Sequence, residues 1–174
     1  MTKLEFLWIT DNKLQQVTNT GGPIGLKYLH LDRNQLSSLN LGGFSNLGSE
    51  LCLWLTDIWK ASTWKPLDYF KNTLKRLYLD HNLFSSTSLD ILGHNKNDLE
   101  NLESLSMNYN DLQDAEIVEN LKNLRILYLE GNQLTHIPDF HSDNNVAGFR
   151  LDLRLFFDST VRNLKIILNL KIQW

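Results

Sequence analysis

The chain has 174 residues, 42% of them hydrophobic and 21% charged, with 17 Lys and Arg against 20 Asp and Glu, a net charge of −3 and a pI near 5.9. That balance excludes a nucleic-acid binder working by phosphate neutralisation, and no apolar run reaches the roughly 18–20 residues of a bilayer span, which excludes membrane insertion. The single cysteine, Cys52, forms no disulfide within the chain. What remains to explain is a bias toward 35 Leu and 19 Asn.

Taken in chain order, the leucines and asparagines fall into a recurring unit. It reads LEFLWITDNKL at 4–14, LKYLHLDRNQL at 26–36, LKRLYLDHNLF at 74–84, LESLSMNYNDL at 102–112 and LRILYLEGNQL at 124–134. Numbering each unit from its first residue, places 1, 4 and 6 are aliphatic, place 9 is Asn and place 11 is apolar. The place-9 residues are Asn12, Asn34, Asn82, Asn110 and Asn132. Between Asn34 and Asn82 lies ELCLWLTDIWK at 50–60, which keeps the strand pattern and carries Ile58 where Asn would stand. Beyond Asn132, VAGFRLDLRLF at 146–156 is again strand-like, with Arg154 at place 9.

This pattern resembles the leucine-rich repeat family, whose consensus L-x-x-L-x-L-x-x-N-x-L it follows in five places across roughly residues 4–156. Leu39, Phe44 and Leu47 after Asn34 resemble the longer form of the repeat, and Leu134 through Ile137-Pro138 resembles its usual turn. Two departures, Ile58 and Arg154, interrupt the Asn series, and the family's cysteine-rich caps are absent. The resemblance implies an α/β solenoid: a curved horseshoe with a parallel β-sheet on its concave face and irregular or short helical segments on the convex side. It implies one domain over 1–174 of about seven repeats, with 157–174 as a closing strand or truncated end.

Elementary chemistry explains the unit. Alternation through places 3 to 7 makes a short strand with one buried face, which a lone unit cannot cover, so several must stack. The Asn carboxamide donates and accepts, so stacked Asn side chains satisfy backbone groups that the inward turn leaves unpaired. Ile58 satisfies none of them and Arg154 cannot be buried unpaired, which predicts an altered loop near 58–66 and the end of regular coiling near 154. Pro66 and two tryptophans within 58–73 agree with an irregular loop. Among the return segments, Ser88 or Thr87 predicts a cap for a short helix over SLDIL ended by Gly93. Asp114 predicts a cap for a helical turn or two over 114–124, with Lys122 late. The segments QQVTNTGGPIG and SSLNLGGFSN are too short and Gly-rich for helices.

A function would be written on the outward places of the strands. Place 5 runs Trp8, His30, Trp54, Tyr78, Ser106, Tyr128, Arg150; place 7 runs Thr10, Asp32, Thr56, Asp80, Asn108, Glu130, Asp152. Place 3 runs Phe6, Tyr28, Cys52, Arg76, Ser104, Ile126, Gly148. A mostly aromatic column therefore lies beside an acidic one. Exposed Trp and Tyr give large, rigid, amphipathic contact area, which protein interfaces favour. The expected partner site comprises Trp8, Tyr28, His30, Asp32, Trp54, Tyr78, Asp80, Asn108, Tyr128, Glu130 and Arg150, taking a protein or peptide, with a basic stretch facing the acids. Strand propensity alone also favours aromatic residues at such places. A sugar ring stacked on the aromatic column, in a receptor for a glycan or microbial ligand, is the alternative.

Nothing in the sequence specifies catalysis. His30 and His81 lack a second ligand at metal spacing, Cys52 has no base beside it in the repeat register, and no P-loop, G-x-G-x-x-G, H-E-x-x-H or G-x-S-x-G string occurs. The expectation is a non-enzymatic module with no cofactor and no metal. Leu4 opens the first unit directly, and TVRNLKIILNLKIQW is apolar at the other end, so uncapped ends predict self-association or a longer parent protein. No N-x-[ST] sequon occurs despite the asparagines, and no signal-peptide pattern opens the chain, which points to an intracellular setting; an extracellular fragment stays open.

Overall fold

A computed structural model describes residues 4–18, 25–36, 38–40, 51–58, 73–86, 92 and 99–135. The six units among them each begin with a short strand, because their apolar residues alternate at places 4 and 6 with side chains that leave the core. These strands are β1 (Phe6–Trp8), β3 (Tyr28–His30), β5 (Leu51–Trp54), β6 (Leu74–Tyr78), β7 (Ser104–Ser106) and β8 (Ile126–Tyr128). All pair in parallel, in the order β1-β3-β5-β6-β7-β8, so each coil adds one strand to the same sheet. Two further strands, β2 (Gln16–Thr18) and β4 (Ser38–Asn40), pair in parallel as a second small sheet formed by return segments.

Register is kept place for place. Leu7 aligns with Leu29, Leu29 with Leu53, Leu53 with Leu77, Leu77 with Leu105 and Leu105 with Leu127. These leucines join those of places 1, 6 and 11 in one core: Leu26, Leu53, Leu74, Leu77, Leu79, Leu102, Leu105 and Leu112 are fully enclosed. A one-residue slip would turn the whole file to solvent, which is why alternation fixes the register so firmly.

One irregularity lies at the entry to β5. Leu51 pairs with Leu74 and the next residue, Cys52, pairs with Arg76, so Lys75 is left over. The sequence gives the reason. Place 1 of this unit is Glu50, a charge that cannot replace a buried leucine, and Leu51 is drawn into the core instead.

The asparagines form a continuous spine. Asn82 Nδ2 donates to the carbonyls of Leu55 (2.8 Å), Leu79 (2.9 Å) and Asp80 (3.2 Å). Asn34, Asn110 and Asn132 repeat that arrangement, reaching Ile9, Leu79 and Met107 in the preceding coil. Their Oδ1 atoms accept the place-11 N–H of the coil before: Leu14 for Asn34, Phe84 for Asn110 and Leu112 for Asn132. Asn12, in the first coil, is exposed and, among the described residues, donates to Thr10 O alone.

Ile58 departs from this scheme. It is buried like the asparagines, and its own N–H, two residues early, takes the Oδ1 of Asn82. The chain therefore leaves the spine sooner here than in its neighbours. Residues 59–66 of the expected altered loop, the unit at 146–156 with Arg154 and Arg150, the turn at Ile137-Pro138, the closing strand at 157–174 and most of the SLDIL helix fall outside the described residues. The helical turn expected over 114–124 is a 3-10 helix, Glu116–Asn120, but Asp114 does not cap it. Ala115 holds that position without a side-chain hydrogen bond, while the Asp114 N–H is satisfied by Ser86 Oγ at 2.9 Å. Lys122 lies beyond its last turn.

Candidate interaction face

Places 3, 5 and 7 alternate with the core leucines, so their side chains stand on the open face of the sheet. Because register is kept, they line up across strands: Trp8 beside His30, His30 beside Trp54, Trp54 beside Tyr78, Tyr78 beside Ser106 and Ser106 beside Tyr128.

Parallel strands are about 4.8 Å apart, close to the spacing of stacked rings, and the aromatic side chains use it. Ring centroids are 4.5 Å apart for Phe6 and Tyr28, 5.3 Å for Trp8 and His30, 3.9 Å for His30 and Trp54, and 4.8 Å for Trp54 and Tyr78. Interplanar angles of 1° to 25° make this one continuous stack over four strands. Trp54 has His30 on one side and Tyr78 on the other, and Tyr28 lies between Phe6 and Trp54. The interior rings thus turn their faces to each other and their edges outward. Trp8, 60% exposed, and Phe6, 44% exposed, close the stack at β1.

On β7 the same places hold Ser104 and Ser106, which are 4% and 3% exposed in spite of facing outward. Tyr78 is hydrogen-bonded to Ser104, and burial is the larger influence on its phenol, holding the pKa above the ordinary tyrosine value. Arg76 places Nη1 3.8 Å from Cys52 Sγ, and negative charge at that sulfur is the largest of the influences that keep the guanidinium above its usual pKa.

The place-7 file is not an open row of acids. Asp32, only 7% exposed, accepts the Thr56 N–H at 2.9 Å through Oδ1 and lies 3.3 Å from His30 Nδ1 through Oδ2. Asp80 Oδ1 accepts the Asn108 N–H at 2.8 Å and the Ser106 hydroxyl at 2.5 Å; Asn108 Oδ1 in turn accepts the Glu130 N–H at 2.8 Å. These side chains tie each strand exit to the next, a second ladder beside the asparagine spine.

Sequence counts place 8 as a further outward file but does not mark its backbone conformation. Asp11, Arg33, Asp57, His81 and Tyr109 all have φ between 53° and 56°, and Gly131 has φ 70°. The left-handed residue turns the chain inward ahead of place 9, and its side chain flanks the face. Neighbours along this file pair. Arg33 holds Asp11 with bonds of 2.5 and 2.6 Å, which lowers the Asp11 pKa, and His81 stacks on Tyr109 at 4.5 Å. Tyr109 donates to Glu130 Oε1 at 2.9 Å and its ring fills the space where a Cβ on residue 131 would stand. The missed signal was Gly131 itself, a glycine at a place otherwise filled, among the described residues, by polar side chains.

Of the expected partner residues, the fold brings Trp8, Tyr28, His30, Asp32, Trp54, Tyr78, Asp80, Asn108, Tyr128 and Glu130 onto one face, and Arg150 lies outside the described residues. Phe6, read at place 3 but not counted among them, belongs to the stack. Among the described residues no group of three His, Cys, Asp or Glu could hold a metal, and no helix is long and apolar enough to cross a membrane.

Comparison with known proteins agrees with the repeat reading in two parts of the chain. Residues 100–140 match a family model described as leucine-rich repeats in two copies, and residues 25–47 match one for a single leucine-rich repeat. Human 5T4 (trophoblast glycoprotein) is structurally similar with a TM-score of 0.56 and 21% identity, over 87% of this chain and 69% of that one. An internalin of Listeria monocytogenes is 26% identical over 76% of this chain, with a TM-score of 0.47. The chain spans about a third (35%) of that internalin's length. No curated protein matches the sequence significantly.

Proposed function

We propose that this chain, a leucine-rich repeat protein, works without catalysis, docking a protein or peptide on the concave face of its sheet. Leucine-rich repeat proteins are in general interaction modules; the aromatic stack is where this one would make its principal contact. The observation that carries the reading is the ring stack from Phe6 and Trp8 to Tyr78, aligned and held by its own neighbours before any partner arrives. A surface ordered in advance loses little entropy on binding, and large aromatic side chains supply the anchor contacts of protein interfaces.

Stacking also favours a polypeptide over a glycan. A sugar ring packs on an open aromatic face, and Tyr28, His30 and Trp54 each have rings on both sides. Their edges, with indole N–H and phenol O–H groups, suit the carbonyls and side chains of a peptide. The glycan or microbial-ligand reading keeps one foothold, Trp8, whose ring has neighbours only on its own strand and on β3 among the described residues.

The test is selection of peptides from a random-sequence library on the immobilised protein, alongside a glycan array. Trp54→Ala combined with Tyr78→Ala is expected to weaken the selected peptides at least about tenfold, with an unchanged far-ultraviolet circular dichroism spectrum. Equal affinity in the double variant would overturn the reading.

A further inference from the structure

We propose that the segment docking on this face is basic, with its Lys and Arg side chains lying along the exits of the strands. The inference rests on the docking reading above and adds the partner's chemistry.

Charge on the face is sorted by side. The strand exits, places 7 and 8, carry Asp11, Asp32, Asp57, Asp80 and Glu130 against one base, Arg33, so five negative charges meet one positive for a net −4. The strand entries, places 2 and 3, carry Lys27, Lys75, Arg76 and Arg125 against Glu5 and Glu103, a net +2. At the entries the acids are matched: Lys27 pairs with Glu5 at 3.1 Å and Lys75 with Glu103 at 3.5 Å. At the exits Arg33 is engaged with Asp11, which leaves the other four carboxylates to set the potential.

Three of those carboxylates are held in place. Asp80 is held by Ser106 and the Asn108 N–H, Glu130 by the Tyr109 hydroxyl, and Asp32 by the Thr56 N–H, while Asp57 is exposed on its left-handed turn. Fixed charges attract an opposite charge without the entropy cost of ordering two flexible chains. The interior rings His30 and Trp54 cannot take the cations themselves, since a guanidinium or ammonium binds a ring face and theirs are covered on both sides. A lysine or arginine therefore lays its apolar stem along the ring edges and sets its head at the exit carboxylates. With strands about 4.8 Å apart and same-facing side chains about 7 Å apart on an extended peptide, a chain crossing the sheet brings every fourth residue into line with about every third strand.

The experiment is to sequence the library peptides that the wild-type protein retains and the Trp54→Ala, Tyr78→Ala variant loses, and then to measure one such peptide by fluorescence polarisation. Expected results are an excess of Lys and Arg in the retained set, affinity that falls with added salt, and a loss of roughly threefold to tenfold in Asp57→Asn with Glu130→Gln. The same peptide with glutamate replacing each base should not bind. A retained set without basic excess, or unchanged affinity and salt dependence in the charge variant, overturns this inference and leaves the docking reading standing. Peptides that bind the aromatic double variant equally well, or a library that yields no binder, overturn both.

Discussion

Along one face of one sheet, the four strands β1, β3, β5 and β6 and their neighbour β7 use equivalent places in opposite ways. The first four strands put rings at place 5 and stack them across the strand spacing. At β7 the same places are serines, and the contacts between coils pass to hydrogen bonds: Ser106 to Asp80, Asn108 to Ser106 and the Glu130 N–H to Asn108. Beneath both halves the leucine files and the asparagine spine are the same. The coil is thus specified by places 1, 4, 6 and 9, while places 3 and 5 are free to carry either chemistry, and that freedom makes the face a site for recognition.

Breaking the shared spine should hurt both halves alike. Asn82→Ala, under the rings, strands the Leu55 carbonyl and the Ile58 N–H, and Asn110→Ala, beside the serines, strands the Phe84 N–H, while the other carbonyls each one reaches keep a second donor. Each should cost about 3 kcal/mol in urea unfolding; a clear inequality would show that one half carries more of the fold. Gly131→Ala attacks the polar half alone, forcing a Cβ into the Tyr109 ring at φ 70°. A loss of about 2 kcal/mol is expected, reduced when Tyr109→Ala is added. The two linings can then be weighed directly. Trp54→Ala should cost about 1.5 kcal/mol and abolish most of the near-ultraviolet circular dichroism, whereas Ser106→Ala should cost about 1 kcal/mol and leave that signal unchanged.

The smallest effect concerns pH. Accepting the phenol proton of Tyr109, Glu130 holds that pKa above the ordinary tyrosine value. The folded state therefore favours the neutral phenol. The contribution is complete below the ordinary tyrosine pKa and is lost as pH climbs through the raised one. A spectrophotometric titration should find Tyr109 among the late-ionising phenols, and Tyr109→Phe should remove one of them.

The sequence carried the strands, their register and the spine plainly, because Leu and Asn recur at fixed places and each has one physical duty there. It carried the aromatic file as a list but not as a stack. Ring orientation is a matter of side-chain torsions, so the covering of Trp54 by His30 and Tyr78 could not be read from the letters. The duty of Asp32 and Asp80 was hidden for a related reason: an outward carboxylate and one that caps the next strand have the same alternation. The left-handed turn was obscured because Asp, Arg, His, Tyr and Gly share no property that marks it. The early exit at Ile58 was foreshadowed by the missing Asn, but the slip at Leu51 was overlooked, although Glu50 at a leucine place announced it.

Trp54, sandwiched 3.9 Å from an imidazole and 4.8 Å from a phenol, is an optical gauge written into the chain. Electronic coupling between such near neighbours falls steeply as they part, so its absorption and emission follow the axial pitch of the coil. Heat, denaturant or mechanical stretch that opens successive turns would change the colour of this residue before the backbone signal has moved.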